Sequence, residues 1–520
     1  MEKSGLHKIL IYSTVFLCGA IVMALEILGT RLIGPYFGAS LSVWIALITV
    51  TLTSLSVGYW IGGKIADYKP SIDLFYGIIL TAGAILLIIP LFSRPVLVKC
   101  STFGLLLGSL ASATLLFAIP LILLGAVSPF AVKLQAQKIG AIGITAGRLY
   151  ALSTLGSVFG AFLTGYFLLP LFGIKCIIYA LALLLTVLPA TWWMKIRSYP
   201  RLLICLPLAT LCFFLFFPAR KLAKTSRQEV VYISESLYGQ IRVIDQAKGP
   251  QNEPPLRFLL IDGAMHSAID TNSKISVFEY IHGLHLLPFL NPEGSRALLI
   301  GLGGGSLVEV LKKFSIKTDV VEIDPKIIET AKRFFDFKPE GGTVYLQDGR
   351  TYLRGLQKKY DFIILDAYAG DVAPLHLFSK EMFEQCKEAL SENGICAINM
   401  LGFAEGKESR GVRSVYATLK AVFPFVEAYS FNQTRQLNNI LFFAATRSRD
   451  YKIDFNDPRI TPITKNILQN MLNTKLDQAF NEGGVILTDD YSPLPLWSRT
   501  INKSWRKKIF AMFDPEILLN

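Results

Sequence analysis

Seven apolar runs in the first 220 residues restrict the fold more than any other feature of this sequence. Six of them are long enough to span a bilayer, at 9–28, 42–62, 74–92, 103–124, 149–171 and 174–194. The seventh, Leu202–Phe217, is shorter and can either cross or lie at the interface. Lipid offers no hydrogen-bond partners to the backbone, so such runs fold as helices. The sequence therefore predicts an α-helical polytopic membrane domain over residues 1–225.

The overall composition agrees with this prediction. The chain is 52% hydrophobic with a mean hydropathy of +0.45, too apolar for a soluble protein of 520 residues. A net charge of +13 would suggest nucleic-acid binding in a soluble protein, but basic loops beside membrane spans account for it here. No nucleic-acid partner is expected. No metal is expected either, because His282 and His285 form an HxxH pair without a neighbouring cluster of acids or cysteines.

Two small-residue patterns predict how the apolar helices pack. Gly58-x-x-x-Gly62 and Gly156-x-x-x-Gly160 each place two glycines on one face of a helix. Glycine has no side chain beyond its Cα, so these faces permit a close approach of another helix.

Beyond residue 225 the pattern becomes that of an α/β protein. Residues 226–290 predict an antiparallel β-subdomain and a connecting helix, and residues 449–520 a C-terminal helical, basic extension. The stretch Lys503–Phe510 of that extension suits a surface of anionic lipid. Between them, residues 291–448 predict a Rossmann-like domain with a mostly parallel sheet. Its strands are expected at 297–300, 319–323, 343–347, 361–365, 395–399, 425–430 and 439–446.

The segment Arg296–Pro325 predicts a nucleoside site. It reads as strand, glycine turn, helix, strand and acid, with the turn glycines at Gly301, Gly303 and Gly305. Glycines let the backbone approach a ligand, and Glu322, about 20 residues further on, can accept from two ribose hydroxyls. A glycine turn alone also occurs without a ligand, so the acid carries much of the argument.

Further acids follow other strands of the same predicted sheet. Asp348-Gly349 ends one strand, and Asp366 ends the apolar strand Phe362–Leu365. Ligands bind at the carboxyl ends of such strands, so these groups are expected to converge. Asp366 could instead cap a helix, but the residues after it read as a loop, which favours a functional role.

Together these residues resemble the polyamine synthases, the spermidine synthase family, over about residues 228–500. The matching motifs are Ser236–Gln240, Leu260–Gly263, the glycine turn with Val321–Asp324, Asp348-Gly349 and Tyr360–Asp366. The chain as a whole, including Leu149–Ala151 and Leu487–Pro493, is similar to membrane-fused members of that family whose spans look like part of a transporter.

The resemblance implies an α/β Rossmann-like fold of the class I methyltransferase type with a small N-terminal β-subdomain. It implies a transferase that moves an aminopropyl group from decarboxylated S-adenosylmethionine to an amine, without a metal. By resemblance, Asp366 is the base, with Tyr280 as a second catalytic residue. The implied donor-binding residues are Gly301, Gly303, Gly305, Glu322, Asp348, Gly349 and Gln240, and the implied substrate residues are His266, Tyr368, Asp371 and Tyr491.

Departures from the family pattern leave the substrate open. Gly304 stands where the family has an aspartate that grips the aminopropyl ammonium, and His266 stands where it has a glutamine. A methyltransferase using S-adenosylmethionine is therefore one alternative. A polyamine transporter or sensor with a ligand-binding soluble domain is another. The membrane domain also admits a lipid-borne amine as acceptor, and the family admits a homodimer.

Charge and chemistry together predict the location. The loops on the side of the N-terminus carry more Lys and Arg than the opposite loops, which places that side in the cytoplasm. A donor of the S-adenosylmethionine type requires the soluble domain in the cytoplasm as well. With six crossings of a bacterial-type inner membrane, the N-terminus and the soluble domain both lie in the cytoplasm. With seven crossings, they lie on opposite sides of the membrane.

Overall fold

The computed structural model describes residues 2–38, 41–136, 142–216, 222–249, 253–368, 374–431, 436–448, 451–477, 480 and 482–519. The chain divides into two compact units. One comprises Met1–Lys221 with Glu235–Leu237, and the other comprises Leu222–Ser234 with Tyr238–Asn520.

Apart from Glu235–Leu237, the described part of the first unit is mainly helical. Its helices are α1 (Glu2–Phe37), α2 (Leu41–Tyr68), α3 (Ile72–Ser101), α4 (Leu105–Gln135), α5 (Ile142–Leu163), α6 (Leu169–Phe172), α7 (Ile174–Lys195) and α8 (Tyr199–Phe216), with a π-helical turn, Thr164–Leu168, joining α5 to α6. Six segments of the described chain are long and apolar enough to cross a membrane, as the six long apolar runs predict. The shorter apolar helix, Tyr199–Phe213, falls on the seventh run.

Glycines bring pairs of these helices into backbone contact. A Cβ atom on Gly58 would lie 2.3 Å from the carbonyl oxygen of Ile122, so α2 packs directly on α4. A Cβ atom on Gly156 would lie 2.0 Å from the carbonyl oxygen of Phe16, so α5 packs directly on α1. The close packing predicted from both glycine patterns is confirmed.

The second unit begins with a four-stranded sheet in the order β1-β2-β3-β4. Its strands are β1 (Gln228–Glu235), β2 (Gln240–Gln246), β3 (Leu256–Ile261) and β4 (Ala264–Asp270), and α9 (Glu279–Gly283), a 3-10 turn Leu284–Leu286 and α10 (Leu287–Leu290) follow. The strands β2 and β3 pair antiparallel, as predicted, and β4 adds to β3 in the same antiparallel sense. The strand β4 is not among the predicted strands, because His266 and Ser267 interrupt its apolar pattern.

A seven-stranded sheet forms the centre of this unit. Its strands are β5 (Arg296–Ile300), β6 (Lys317–Glu322), β7 (Val344–Leu346), β8 (Tyr360–Leu365), β9 (Leu390–Gly402), β10 (Phe425–Ser430) and β11 (Asn438–Ala445). They lie in the order β10-β11-β9-β8-β5-β6-β7. The five strands from β9 to β7 run parallel, and β11 is inserted antiparallel between β9 and β10. This is the predicted Rossmann-like sheet of the class I methyltransferase type.

Helices and short turns connect these strands and follow them. They are α11 (Ser306–Lys313), α12 (Pro325–Phe334), α13 (Gly349–Arg354), α14 (Lys380–Ala389), α15 (Arg410–Val422), α16 (Pro462–Leu472), α17 (Leu494–Met512) and α18 (Pro515–Leu519), with 3-10 turns at Leu375–Leu377 and Lys407–Ser409.

The C-terminal helices cover the small sheet. In β3, Phe258 and Leu260 point to one face and join a core with Ile509 and Phe513. Because side chains alternate along a strand, the residues between them face the core of the large sheet instead. The apolar side of Lys503–Phe510 is thus buried against the protein's own strands, with Ile509 only 2% exposed. The apolar side of this stretch is therefore not available to lipid, whereas contact of its basic side with anionic lipid stays a prediction.

Candidate active site

A cavity of about 380 Å³ lies at the carboxyl ends of β5, β6 and β8. It brings together most of the residues predicted from the sequence: Tyr280, Gly301, Gly303, Glu322, Asp348, Gly349, Asp366, His266 and Tyr368. Gly305, Gln240 and Tyr491 are not among its lining residues. Asp371 lies outside the described residues.

The glycine turn is shaped by close backbone approach. Gly301 has a φ of +94°, and a Cβ atom there would lie 2.3 Å from the carbonyl oxygen of Asp366. Gly303 also has a positive φ, of +54°. Any side chain at residue 301 would push the end of β5 away from the end of β8, so the turn keeps the cavity floor intact.

Glu322 holds the same turn from the end of β6. Its Oε2 accepts from the backbone N–H of Leu302 at 2.9 Å, and its Oε1 accepts from that of Asp324 at 3.0 Å. Burial raises the pKa of this carboxyl, and the two backbone donors partly oppose the shift. Each oxygen retains a second acceptor site that can receive a ligand hydroxyl.

Asp348 is oriented by the helix that it begins. Its Oδ1 accepts from the backbone N–H and the hydroxyl of Thr351, at 2.8 and 3.0 Å, as the N-cap of α13. Its Oδ2 lies 2.9 Å from Nε2 of His376. Partial burial alone would raise the pKa of Asp348, but the bonds from Thr351 and His376 outweigh it and lower the pKa.

Asp366 follows β8 at the mouth of the sheet. The hydroxyl of Tyr280 donates to its Oδ2 at 3.0 Å, and Nδ2 of Asn399 donates to its Oδ1 at 2.8 Å. Loss of solvent raises the pKa of Asp366 above its ordinary value, while both hydrogen bonds limit the rise. Burial and the neighbouring carboxylate raise the pKa of Tyr280 well above its ordinary value, so the phenol remains protonated and acts as a donor.

Asn399 and Asn439 are site residues that the sequence analysis missed. Nδ2 of Asn439 donates to Oδ1 of Asn399 at 2.9 Å, which fixes the amide of Asn399 with its Nδ2 towards Asp366. Both asparagines line the cavity. Asn399 is a buried amide within the apolar run Ile395–Leu401, and that contrast is a signal the sequence does contain.

Tyr368 and Trp505 contribute to the wall beyond Asp366. The hydroxyl of Tyr368 accepts from the backbone N–H of Leu401 at 2.6 Å, and burial raises the pKa of this phenol. Trp505 reaches the cavity from α17, 139 residues after Asp366 in the chain. No local motif marks Trp505 in the sequence.

The remaining predicted residues have other partners. The side-chain oxygen of Gln240 accepts from Nε of Arg242 at 2.7 Å. Gly305, with a φ of +82°, precedes α11, where a Cβ atom would lie 2.7 Å from the ring of Phe337. Tyr491 is 58% exposed and belongs to a turn with Thr488. The role of Gly305 is therefore to let the glycine turn pack against Phe337.

The two histidines of the HxxH pair are buried beside each other. Nδ1 of His282 lies 2.8 Å from Oγ1 of Thr464, and its Nε2 lies 2.8 Å from the carbonyl oxygen of Ser276. Burial lowers the pKa of His285 to about 4. Within the described ranges, no three His, Cys, Asp or Glu side chains come together as a group that could hold a metal ion.

Sheet order, glycine turn and cavity together define a Rossmann-like transferase fold of the class I methyltransferase type. Residues 278–457 match the spermine/spermidine synthase domain. The chain is 30% identical over 241 residues to the polyamine aminopropyltransferase of Vibrio vulnificus, a match that covers 44% of this chain and 78% of that protein. The chain belongs to the spermidine synthase family, the polyamine aminopropyltransferases, and is a transferase.

Two further similarities have lower sequence identity. An N-terminal histidine N-methyltransferase of Emericella nidulans is 29% identical over 220 residues, which is 41% of this chain and 37% of that protein. The spermidine synthase structure from Thermotoga maritima superposes with a TM-score of 0.36 at 22% identity, over 48% of this chain and 89% of that chain.

Proposed function

We propose that this protein transfers an aminopropyl group from decarboxylated S-adenosylmethionine to an amine acceptor. The observation that carries the proposal is Asp366, a carboxylate fixed through both oxygens in the same cavity as Glu322 and Asp348. Family membership supports the reaction class. In this proposal Glu322 receives the ribose hydroxyls and Asp348 receives the amine of the base.

The reaction assigned to this site needs a base and careful positioning. An alkyl amine with a pKa of about 10 is protonated at neutral pH and cannot attack carbon until it loses a proton. Asp366 accepts that proton, and the nitrogen then forms a bond to the aminopropyl carbon. The carbon–sulfur bond breaks with its electron pair going to sulfur, so the positive sulfonium becomes a neutral thioether. Tyr280 and Asn399 hold the carboxylate in line with the attacking nitrogen.

Gly304 favours methyl transfer from S-adenosylmethionine as a second candidate. Its N–H donates to Oγ of Ser267 at 2.7 Å, and a Cβ atom on it would lie 2.9 Å from the ring of Phe335. The turn therefore carries no carboxylate at this position and has little room for one. A carboxylate here would attract the ammonium of the decarboxylated donor and repel the carboxylate of S-adenosylmethionine.

The product distinguishes the two candidates. With the full-length protein in detergent, an amine mixture and each donor in turn, we expect methylthioadenosine from decarboxylated S-adenosylmethionine. Accumulation of S-adenosylhomocysteine, with no methylthioadenosine, would show that the protein transfers a methyl group and not an aminopropyl group. Ligand binding without turnover on either donor would support the polyamine transporter or sensor alternative instead.

We propose further that the helical unit anchors the enzyme in a bilayer, with the soluble unit in the cytoplasm. The six long apolar helices support the anchor, and the positive charge of the loops supports the orientation. Reporters fused at Ser198 and after Asn520 are both expected to report the cytoplasm, which corresponds to six crossings. A C-terminal reporter active only in the periplasm would contradict a cytoplasmic enzyme, because the donor is made inside the cell.

A further inference from the structure

The motif Leu487–Pro493 lies beyond the matched domain and outside the cavity lining, yet it is tightly held. Leu487 is fully buried, and its N–H donates to the hydroxyl of Thr418 at 2.9 Å. The backbone groups of Thr488 and Tyr491 bond to each other in a turn. This turn presents Asp489 to Arg350.

Arg350 and Asp489 form a two-pronged ion pair. Nη1 and Nη2 of the arginine each donate to one carboxylate oxygen, both at 2.6 Å. Arg350 is only 7% exposed and lies two residues after Asp348 on α13. The ion pair holds the planar guanidinium in one orientation. The hydrogen bond from Arg350 lowers the pKa of Asp489 to about 2.

The same guanidinium reaches His376. Nη1 of Arg350 also donates to the backbone carbonyl oxygen of His376 at 3.2 Å. The imidazole of His376 lines the cavity and bonds Asp348 through Nε2. One chain of contacts thus runs from Asp489 through Arg350 and His376 to the carboxylate that lies in the nucleoside end of the cavity.

We propose that His376 belongs to the purine end of the donor site and that the Arg350–Asp489 pair is the device that positions it. The inference rests on the proposed function, because it takes Asp348 as the acceptor for the amine of a 6-aminopurine nucleoside. A carboxylate oxygen has two acceptor sites, so Oδ2 of Asp348 receives the His376 N–H and the ligand amine together. His376 then sets the direction in which the second site points.

The chain offers a matched control for this ion pair. Arg257 and Asp245 form a comparable two-pronged contact, through Nε and Nη2 at 2.6 and 2.7 Å. Arg257 also donates to a backbone carbonyl, that of Phe334, at 2.9 Å. Neither residue lines the cavity. Asp245→Asn therefore reproduces the loss of an arginine–aspartate pair without touching the donor site.

Binding of the nucleoside thioethers methylthioadenosine and S-adenosylhomocysteine tests the proposal. Both carry the 6-aminopurine, so calorimetry on the full-length protein in detergent works whichever group is transferred. We expect Asp489→Asn and His376→Ala to weaken binding about tenfold, as the loss of a hydrogen bond to a charged group implies. His376→Gln keeps a donor and should recover part of the affinity. In turnover assays the donor KM should rise while kcat changes less than twofold.

Three outcomes decide the matter. Selective weakening by Asp489→Asn and His376→Ala, with Asp245→Asn equal to wild type, supports the inference. If wild type binds the nucleosides and Asp489→Asn behaves like Asp245→Asn, the positioning role is overturned while the proposed function stands. If wild type binds neither nucleoside, both are overturned. The His376 side chain is half exposed, so His376→Ala gives a result even if Asp489→Asn fails to fold.

Discussion

Asp366→Asn is expected to lower kcat by about 10² to 10⁴-fold while leaving donor affinity nearly unchanged. The amide is the same size as the carboxylate and can keep a hydrogen bond to Tyr280 or Asn399, but it cannot accept the proton of the acceptor ammonium. Steady-state rates with saturating donor and calorimetric binding of methylthioadenosine provide the two measurements. The charge-matched control is Asp336→Asn, which removes an exposed ion pair with Lys274. Normal turnover by Asp366→Asn would show that another group is the base.

The pH profile gives an independent check on the same residue. Because the pKa of Asp366 is raised by burial, the acidic limb of kcat/KM should lie above the ordinary aspartate value of about 3.9. The Tyr280 hydrogen bond stabilises the ionised form and lowers that pKa. Tyr280→Phe should therefore move the limb to higher pH. If the acidic limb of kcat/KM lay at the same pH in Tyr280→Phe as in wild type, ionisation of Asp366 would not be the cause of that limb.

Glu322→Gln is expected to weaken binding of the nucleoside by about 10- to 100-fold and to destabilise the second compact unit. Both carboxylate oxygens accept backbone N–H groups, from Leu302 and Asp324. The amide nitrogen of glutamine would face one of these donors, so one buried N–H loses its partner, at a cost of about 1–3 kcal/mol. The ribose loses a charged acceptor at the same time.

Thermal unfolding at several pH values measures the stability effect. The pKa of Glu322 is raised in the folded protein, so its contribution to stability is present below the unfolded value of about 4.3 and declines as pH rises through the folded value. The melting-temperature difference between wild type and Glu322→Gln should therefore narrow as pH rises. Glu329→Gln, which loses an exposed ion pair with Lys326, is the control. If Glu322→Gln and Glu329→Gln had the same nucleoside affinity and the same melting temperatures, Glu322 would neither bind the ribose nor stabilise the fold.

The strands and the glycine turn could be predicted because their signals are local. An apolar run of five or six residues followed by glycine or an acid marks a buried parallel strand and its end, as at Ile300 and Leu365. The predicted strands therefore fall on β5 to β11, with ends that differ by at most two residues except at β9, which begins five residues before and ends three residues after the predicted 395–399. The strand β4 could not be predicted in this way because its apolar and polar residues do not alternate regularly.

The rest of the candidate site depends on contacts that no local pattern reveals. Asn399, Asn439 and His376 act through partners 28 to 40 residues away in the chain. The helix α17 reads as amphipathic and basic, and that pattern cannot distinguish a lipid surface from the protein's own sheet. Tertiary packing decides between them, and it places Trp505 in the cavity wall. The domain boundaries and the roles of individual site residues stay predictions.

The docking of α17 has a consequence for the order of folding. Arg506 on this helix donates to the carbonyl oxygen of Asp262, a contact between residues 244 positions apart. Closing so long a loop is entropically costly, and contacts of this kind form late in a folding reaction. The large sheet can assemble from neighbouring segments before that closure. The cavity wall that includes Trp505 is therefore expected to close after the large sheet has formed.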